Sequence, residues 1–164
     1  MDDRPRYQDA ISSLAFKHGK MAFVAGPRQV GKTTLAMQIG KARRHSVYYN
    51  WDDLDFKKRW IKSASDLIPK DVGEKPIVIF DELHKAPKWK NTLKGLYDLN
   101  KDKADILVTG SARLDVYRRG GDSMLGRYFL FRLHPFSVGE LGRRPNESPD
   151  DIVKKWLGKE LPHS

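Results

Sequence analysis

The 164 residues contain no cysteine, which excludes disulfides and thiolate metal sites and suits a reducing compartment. No apolar run approaches the roughly 20 residues of a membrane-spanning helix. The N-terminal Met-Asp-Asp-Arg-Pro-Arg lacks the apolar stretch of a secretion signal. The expectation is a cytoplasmic protein without a membrane partner. Histidines are few and scattered (His18, His45, His84, His134 and His163), without the spacing of a zinc site. Internal repeats and low-complexity tracts are absent. Acidic residues are in deficit, 21 against 31 lysines and arginines, for a formal net charge of +10. The basic residues recur within 41–44, 57–59, 85–90 and 113–119. Two readings stand: a surface for nucleic acid or another polyanion, or solvated helix faces around a basic phosphate pocket. The length fits one domain with room for a small appendage.

What the chain does have is an octapeptide, Gly26-Pro27-Arg28-Gln29-Val30-Gly31-Lys32-Thr33, that fits G-x-x-x-x-G-K-[ST], the phosphate-binding P-loop. Met21-Ala22-Phe23-Val24-Ala25 before it reads as a buried strand. Thr34 to Ile39 after it read as a helix with Leu35 and Ile39 on one face. In such a loop glycines let the backbone close around phosphates, N–H groups point inward, and the helix start adds its positive dipole end. Residues Gly26 through Thr34 are the candidate nucleotide contacts. Lys32 reaches the β- and γ-phosphates, and the Thr33 hydroxyl holds Mg²⁺.

A second signal is Ile77-Val78-Ile79-Phe80-Asp81-Glu82, four apolar residues and then two acids. This is a Walker B pattern. Asp81 at the strand tip is the candidate metal residue, and Glu82 is placed to polarise a water for attack on the γ-phosphate. A kinase does not need the second acid, so the pair favours hydrolysis. Thr109-Gly110-Ser111 ends another apolar strand, 106–108. Ser111 is the first choice, and Thr109 the second, for a polar group between the attacking water and the γ-phosphate; a helix cap by Ser111 is the competing and compatible role. Arg127, after Gly126 and before the strand 128–133, is the candidate arginine finger for a neighbouring subunit, with Arg113, Arg118 and Arg119 as rivals. His84 completes a D-E-x-H string, but a helicase of that type needs two such domains; a surface or helix-capping histidine is expected instead. At Asp52 a helix cap is expected.

Around these motifs the periodicity predicts helices over 6–18 (closed by Gly19), 52–67, from Pro87 onward, and from Ser148. Strands are expected at 47–51 and 128–133, the last at a sheet edge because Arg132 interrupts its apolar pattern. Strands alternating with helices imply βαβ units and a parallel sheet with helices on both faces. The P-loop, Asp52, Asp81 and Ser111 should then meet on one rim at the carboxyl ends of the strands.

Taken in order, Gly-Pro-Arg-Gln-Val-Gly-Lys-Thr-Thr, Phe-Asp-Glu-Leu-His-Lys-Ala-Pro-Lys-Trp, Thr-Gly-Ser-Ala-Arg-Leu and Leu-Gly-Arg…Leu-His-Pro-Phe-Ser-Val-Gly-Glu-Leu resemble the ATPase domain of a prokaryotic AAA-type family of predicted ATPases. The resemblance covers roughly residues 5–141. It implies a P-loop NTPase fold: an α/β/α sandwich on a mostly parallel five-stranded sheet of order 5-1-4-3-2. It carries over Gly31, Lys32, Thr33, Asp81 and Glu82 as nucleotide residues, and Arg127 less securely. It also implies ATP rather than GTP. Members of the family usually continue into a second domain, so residues 1–141 are expected to be the ATPase domain and 142–164 a linker with a C-terminal helix. The expected function is Mg²⁺-dependent ATP hydrolysis by a module that works as a homo-oligomer or on a protein or nucleic-acid partner. The alternative is a nucleotide-dependent regulatory or nucleic-acid-binding module with little turnover.

Overall fold

The computed structural model describes residues 8–70, 72–111 and 124–135. Five strands form one sheet: β1 (Met21–Ala25), β2 (Ser46–Asn50), β3 (Ile77–Asp81), β4 (Asp105–Gly110) and β5 (Tyr128–Arg132). Their order is β2-β3-β4-β1-β5, and every adjacent pair is parallel. Read from the other edge this is the expected 5-1-4-3-2. The central strands β1, β3 and β4 are buried along their whole lengths, as strands covered on both faces must be. The outermost strands β2 and β5 are only partly buried, and Arg132 lies on the β5 edge as its charge requires.

Alternation along the strands splits the interior into two cores. Phe23, Val78, Phe80, Ile106 and Val108 face one side and pack with Trp60 of α3 (Leu54–Ser63) and with Leu93 and Leu96 of α4 (Trp89–Asn100). Ala22, Val24, Ile77, Ile79 and Leu107 face the other. They meet Ile11 of α1 (Gln8–Leu14) and Leu35 and Ile39 of α2 (Lys32–Lys41). The result is a three-layer α/β/α sandwich.

Strands β2 and β5 lie within one residue of the expected 47–51 and 128–133, and three helix boundaries differ further from those the periodicity predicts. The first helix is shorter: α1 stops at Leu14, and a 3-10 turn, Phe16–His18, follows. Gly19 closes it at φ 62°, where a side chain would be strained. The helix at 52–67 is α3 plus a 3-10 turn, Ala64–Leu67. Its cap is Asp53, not Asp52: Asp53 is extended, and its carboxylate accepts the N–H groups of Asp55 and Phe56. Pro87 precedes rather than opens α4, whose cap residue is Lys88 at φ 51°. The chain divides into two compact units at Leu133 and His134. The expected boundary at 141, the helix from Ser148, and Arg113, Arg118 and Arg119 fall outside the described residues.

Candidate nucleotide site

The loop between β1 and α2 has the backbone a phosphate cradle needs. Gln29 and Gly31 take positive φ, 63° and 88°, which turns successive N–H groups into the concavity. Gly26 is required sterically, since a Cβ there would lie 2.2 Å from the carbonyl oxygen of Leu133. Leu133 in turn donates its N–H to Ala25 at 2.7 Å, so the end of β5 is fastened beside the loop. Lys32 is buried, and its ammonium donates to the carbonyls of Pro27 at 2.6 Å and Gly26 at 3.2 Å. Pro27, Arg28, Gln29, Thr33 and Thr34 are exposed on the open side, while Val30 is buried and anchors the loop to the α2 face.

Asp81 stands at the end of β3, 1% exposed. Three hydroxyls donate to it. Thr33 Oγ1 lies 2.8 Å and Tyr48 Oη 2.6 Å from Oδ2, and Thr109 Oγ1 donates to Oδ1. Thr109 also accepts the N–H of Glu82 at 3.2 Å. Its hydroxyl is thereby held between the Asp81 carboxylate and the Glu82 backbone N–H. Burial, and then the hydrogen bond to Asp81, push the Tyr48 phenol up to about 12. Asn50 Nδ2 donates to the same phenol oxygen at 3.2 Å.

Glu82 follows Asp81 in the left-handed region at φ 58°. Its carboxylate lies 3.6 Å from Lys85 Nζ and 3.8 Å from His84 Nε2. Lys85 also pairs with Asp52 at 3.1 Å. His84 is not the surface residue that was one of its two expected roles. Its side chain is 13% exposed, and Nδ1 accepts the N–H of Ser111 at 3.4 Å, so the ring stands between Glu82 and the end of β4. The P-loop, Asp52, Asp81, Glu82 and Ser111 thus share one rim.

Arg127 is elsewhere. It precedes β5, whose first residue lies opposite Met21, so about 16 Å of strand separates it from the P-loop end of the sheet. Its guanidinium is forked onto Asp98, at 2.8 Å from Nε and 3.1 Å from the second nitrogen. That hydrogen bond holds the Asp98 carboxyl below its usual range.

The sequence pattern did not single out Tyr48 or Asn50. The signal for them was period two: Val47, Tyr49 and Trp51 alternate with Tyr48 and Asn50, and parallel register places Tyr48 opposite Ile79 and Asn50 opposite Asp81. Among the described residues no three histidine or acidic side chains cluster as a metal site. A cation at this rim would rely on Thr33, Asp81 and phosphate oxygens, the hard oxygen donors that Mg²⁺ takes.

Residues 18–142 match the family model described as AAA domain, and the chain belongs to that family. Membership sets the class: an ATPase-type nucleotide-binding domain. Among solved structures, C. elegans PCH-2 superposes with a TM-score of 0.53 at 18% identity, over 80% of this chain and 42% of its own. A RuvB variant of Thermotoga maritima gives 0.53 at 20% identity, over 95% of this chain and 54% of its own. At these identities the likeness is one of fold. Two curated relatives, the uncharacterized proteins Rv2008c of Mycobacterium tuberculosis and Mb2031c of Mycobacterium bovis, are each 27% identical over 159 residues, 96% of this chain and 34% of theirs. The chain therefore spans about a third of the length of the curated relatives it matches. No helix among the described residues is long and apolar enough to cross a membrane.

Proposed function

We propose that this domain binds ATP with Mg²⁺ and hydrolyses it. The observation that carries the reading is the 2.8 Å hydrogen bond from Thr33 to Asp81, which joins the phosphate loop to the acid strand across 48 residues of sequence. Bound there, Mg²⁺ would neutralise charge developing on the phosphates. Lys32 exchanges its two carbonyl partners for phosphate oxygens. The Thr33 hydroxyl would keep donating to Asp81 and offer its oxygen to the cation. Glu82 orients a water and accepts its proton at the carboxylate, and Ser111 holds the water's far side. A cavity of about 310 Å³ lined by Ile11, Val24, Leu35, Phe131 and Leu133 lies beside the Gly26–Leu133 contact and offers apolar walls for the base. Arg127 is too far from its own loop to act there. It serves a neighbouring copy's nucleotide, in a homo-oligomer, once Asp98 releases it.

One set of proteins tests this. ATP–Mg²⁺ at about a hundred times Kd should stabilise the parent by roughly 2.7 kcal/mol in a thermal titration, and Lys32→Ala should lose that shift. Glu82→Gln and Arg127→Ala should keep the shift and lose phosphate release. Mixing Arg127→Ala with Lys32→Ala should restore part of the turnover. An undiminished shift in Lys32→Ala would sink the nucleotide site. A stable ATP complex with no turnover in the parent at any concentration, with or without DNA, would favour the regulatory or nucleic-acid-binding alternative.

A further inference from the structure

The hydrogen bonds on Asp81 exceed what a metal residue of this kind needs. A carboxylate offers about four lone-pair sites, two on each oxygen. Both sites on Oδ2 are taken, one by Thr33 at 2.8 Å and one by Tyr48 at 2.6 Å. Thr33 can keep its bond to Asp81 while its oxygen turns toward a cation. Tyr48 has no such dual role. It comes from β2, outside both the phosphate loop and the acid strand, and its phenol ends on the carboxylate itself. Asn50 donates to the phenol oxygen from two residues along the same strand. That fixes the O–H as the donor toward Asp81. The ring packs against the α2-side core, so the hydroxyl is presented at a set height.

We propose that Tyr48 is a positioning residue that holds Asp81 while no cation is bound and yields Oδ2 to the water shell of a divalent cation when one binds, so that phenol and cation compete for one carboxylate oxygen. This rests on the reading of Thr33 and Asp81 as the cation's residues. With the phenol in place, the charge of Asp81 is solvated by fixed hydroxyls instead of being left bare in the interior. A cation whose water shell takes Oδ2 must displace one of the two bonds there, and its apparent affinity is lower by that amount.

The test is Tyr48→Phe, which keeps the ring and removes the competing donor. Nucleotide binding is measured first, with ADP in EDTA, and should be equal in parent and variant. Mn²⁺ is then titrated into each ADP-saturated protein and the free ion read by electron paramagnetic resonance. A bond to a charged acceptor of this kind corresponds to roughly ten- to a hundredfold tighter Mn²⁺ binding in Tyr48→Phe. Equal or weaker binding overturns the competition, because it would show the phenol bystanding or supporting the cation from outside. A second measurement follows the phenol itself. In parent protein carrying fluorotyrosine at its six tyrosines, Mg²⁺ added to the ADP complex should shift the resonance of the half-buried Tyr48 phenol, which is assigned by its absence from Tyr48→Phe. If it does not move, Tyr48 does not let go and the proposal is wrong. If the parent binds no ADP, or binds ADP but no Mn²⁺, the reading of the site itself fails and this inference goes with it.

Discussion

Two buried carboxylates on neighbouring strands are treated in opposite ways. Asp81, 1% exposed, closes β3 at the phosphate rim, and the described groups that bond to it are three neutral hydroxyls. Asp105, 6% exposed, opens β4 at the other end of the sheet. It is met by two cations, Lys75 at 2.8 Å and Arg43 at 3.1 Å. Lys32 mirrors Asp81: a buried cation whose partners are two neutral carbonyls. Satisfying lone pairs and neutralising charge are different things. At the amino-end rim both are done, and the site is closed. At the carboxyl-end rim only the first is done. Each charge is solvated by dipoles, and the opposite charge it lacks is the kind that a nucleotide phosphate and its cation would bring.

The comparison breaks most visibly if both carboxylates are neutralised. Asp105→Asn should cost about 2–3 kcal/mol in urea unfolding, on the low side for a broken buried pair because Arg43 and Lys75 are each 32% exposed. It should leave the stabilisation by ATP intact. Asp81→Asn should leave unfolding stability unchanged or raise it, as removal of functional charge commonly does, and abolish the Mg²⁺-dependent part of that stabilisation. Equal losses of stability in the two variants would show that the rims do not differ in kind.

A smaller effect sharpens the phosphate rim. Thr109→Val keeps the shape, removes one bond from Asp81 and leaves the Glu82 N–H without its acceptor. The cost should be about 1–2 kcal/mol in the same unfolding series. A neutral outcome would mean that water replaces the hydroxyl and that the cradle around Asp81 is looser than three fixed donors imply.

The smallest effect lies at the amino-end rim. Arg127 holds the Asp98 carboxyl below its ordinary value near 3.8. A carboxyl with a lowered folded-state value contributes stability above the unfolded value and loses it as pH falls through the folded one. Acid titration of the unfolding midpoint should therefore show a slightly shallower decline below about pH 4 in Arg127→Ala than in the parent. The pair is exposed enough that screening by salt should erase the difference.

The fold and the ends of the site were legible because they are local. The loop from Gly26 to Thr33 and the Asp81-Glu82 pair are contiguous, and each follows an apolar strand that names itself. What surrounds Asp81 was not legible. Tyr48 and Thr109 reach it from 33 and 28 residues away, and only the register of three strands brings them together. In sequence each is an ordinary strand residue. Thr109 was noticed for its place at a strand end, and its hydroxyl then proved to be occupied. His84 was set aside because its string suggested a larger machine, whereas its actual position depends on how sharply the chain turns after Glu82. Asp53 displaced Asp52 as cap because two adjacent aspartates leave the choice to one residue's backbone angle. The Asp105 cluster had no signal at all, since Arg43, Lys75 and Asp105 are spread over 62 residues.

Glu82 has a further consequence, in the currency of evolution. At φ 58° it holds a backbone shape that costs an ordinary residue about 1–2 kcal/mol and glycine almost nothing. Drift that favoured folding alone would push this position toward glycine or asparagine, and every such step would make a sturdier molecule. A lineage released from its task should therefore lose this acid early, with the strand before it unharmed. On the role proposed above for Glu82, its carboxylate is kept at the expense of a more relaxed backbone.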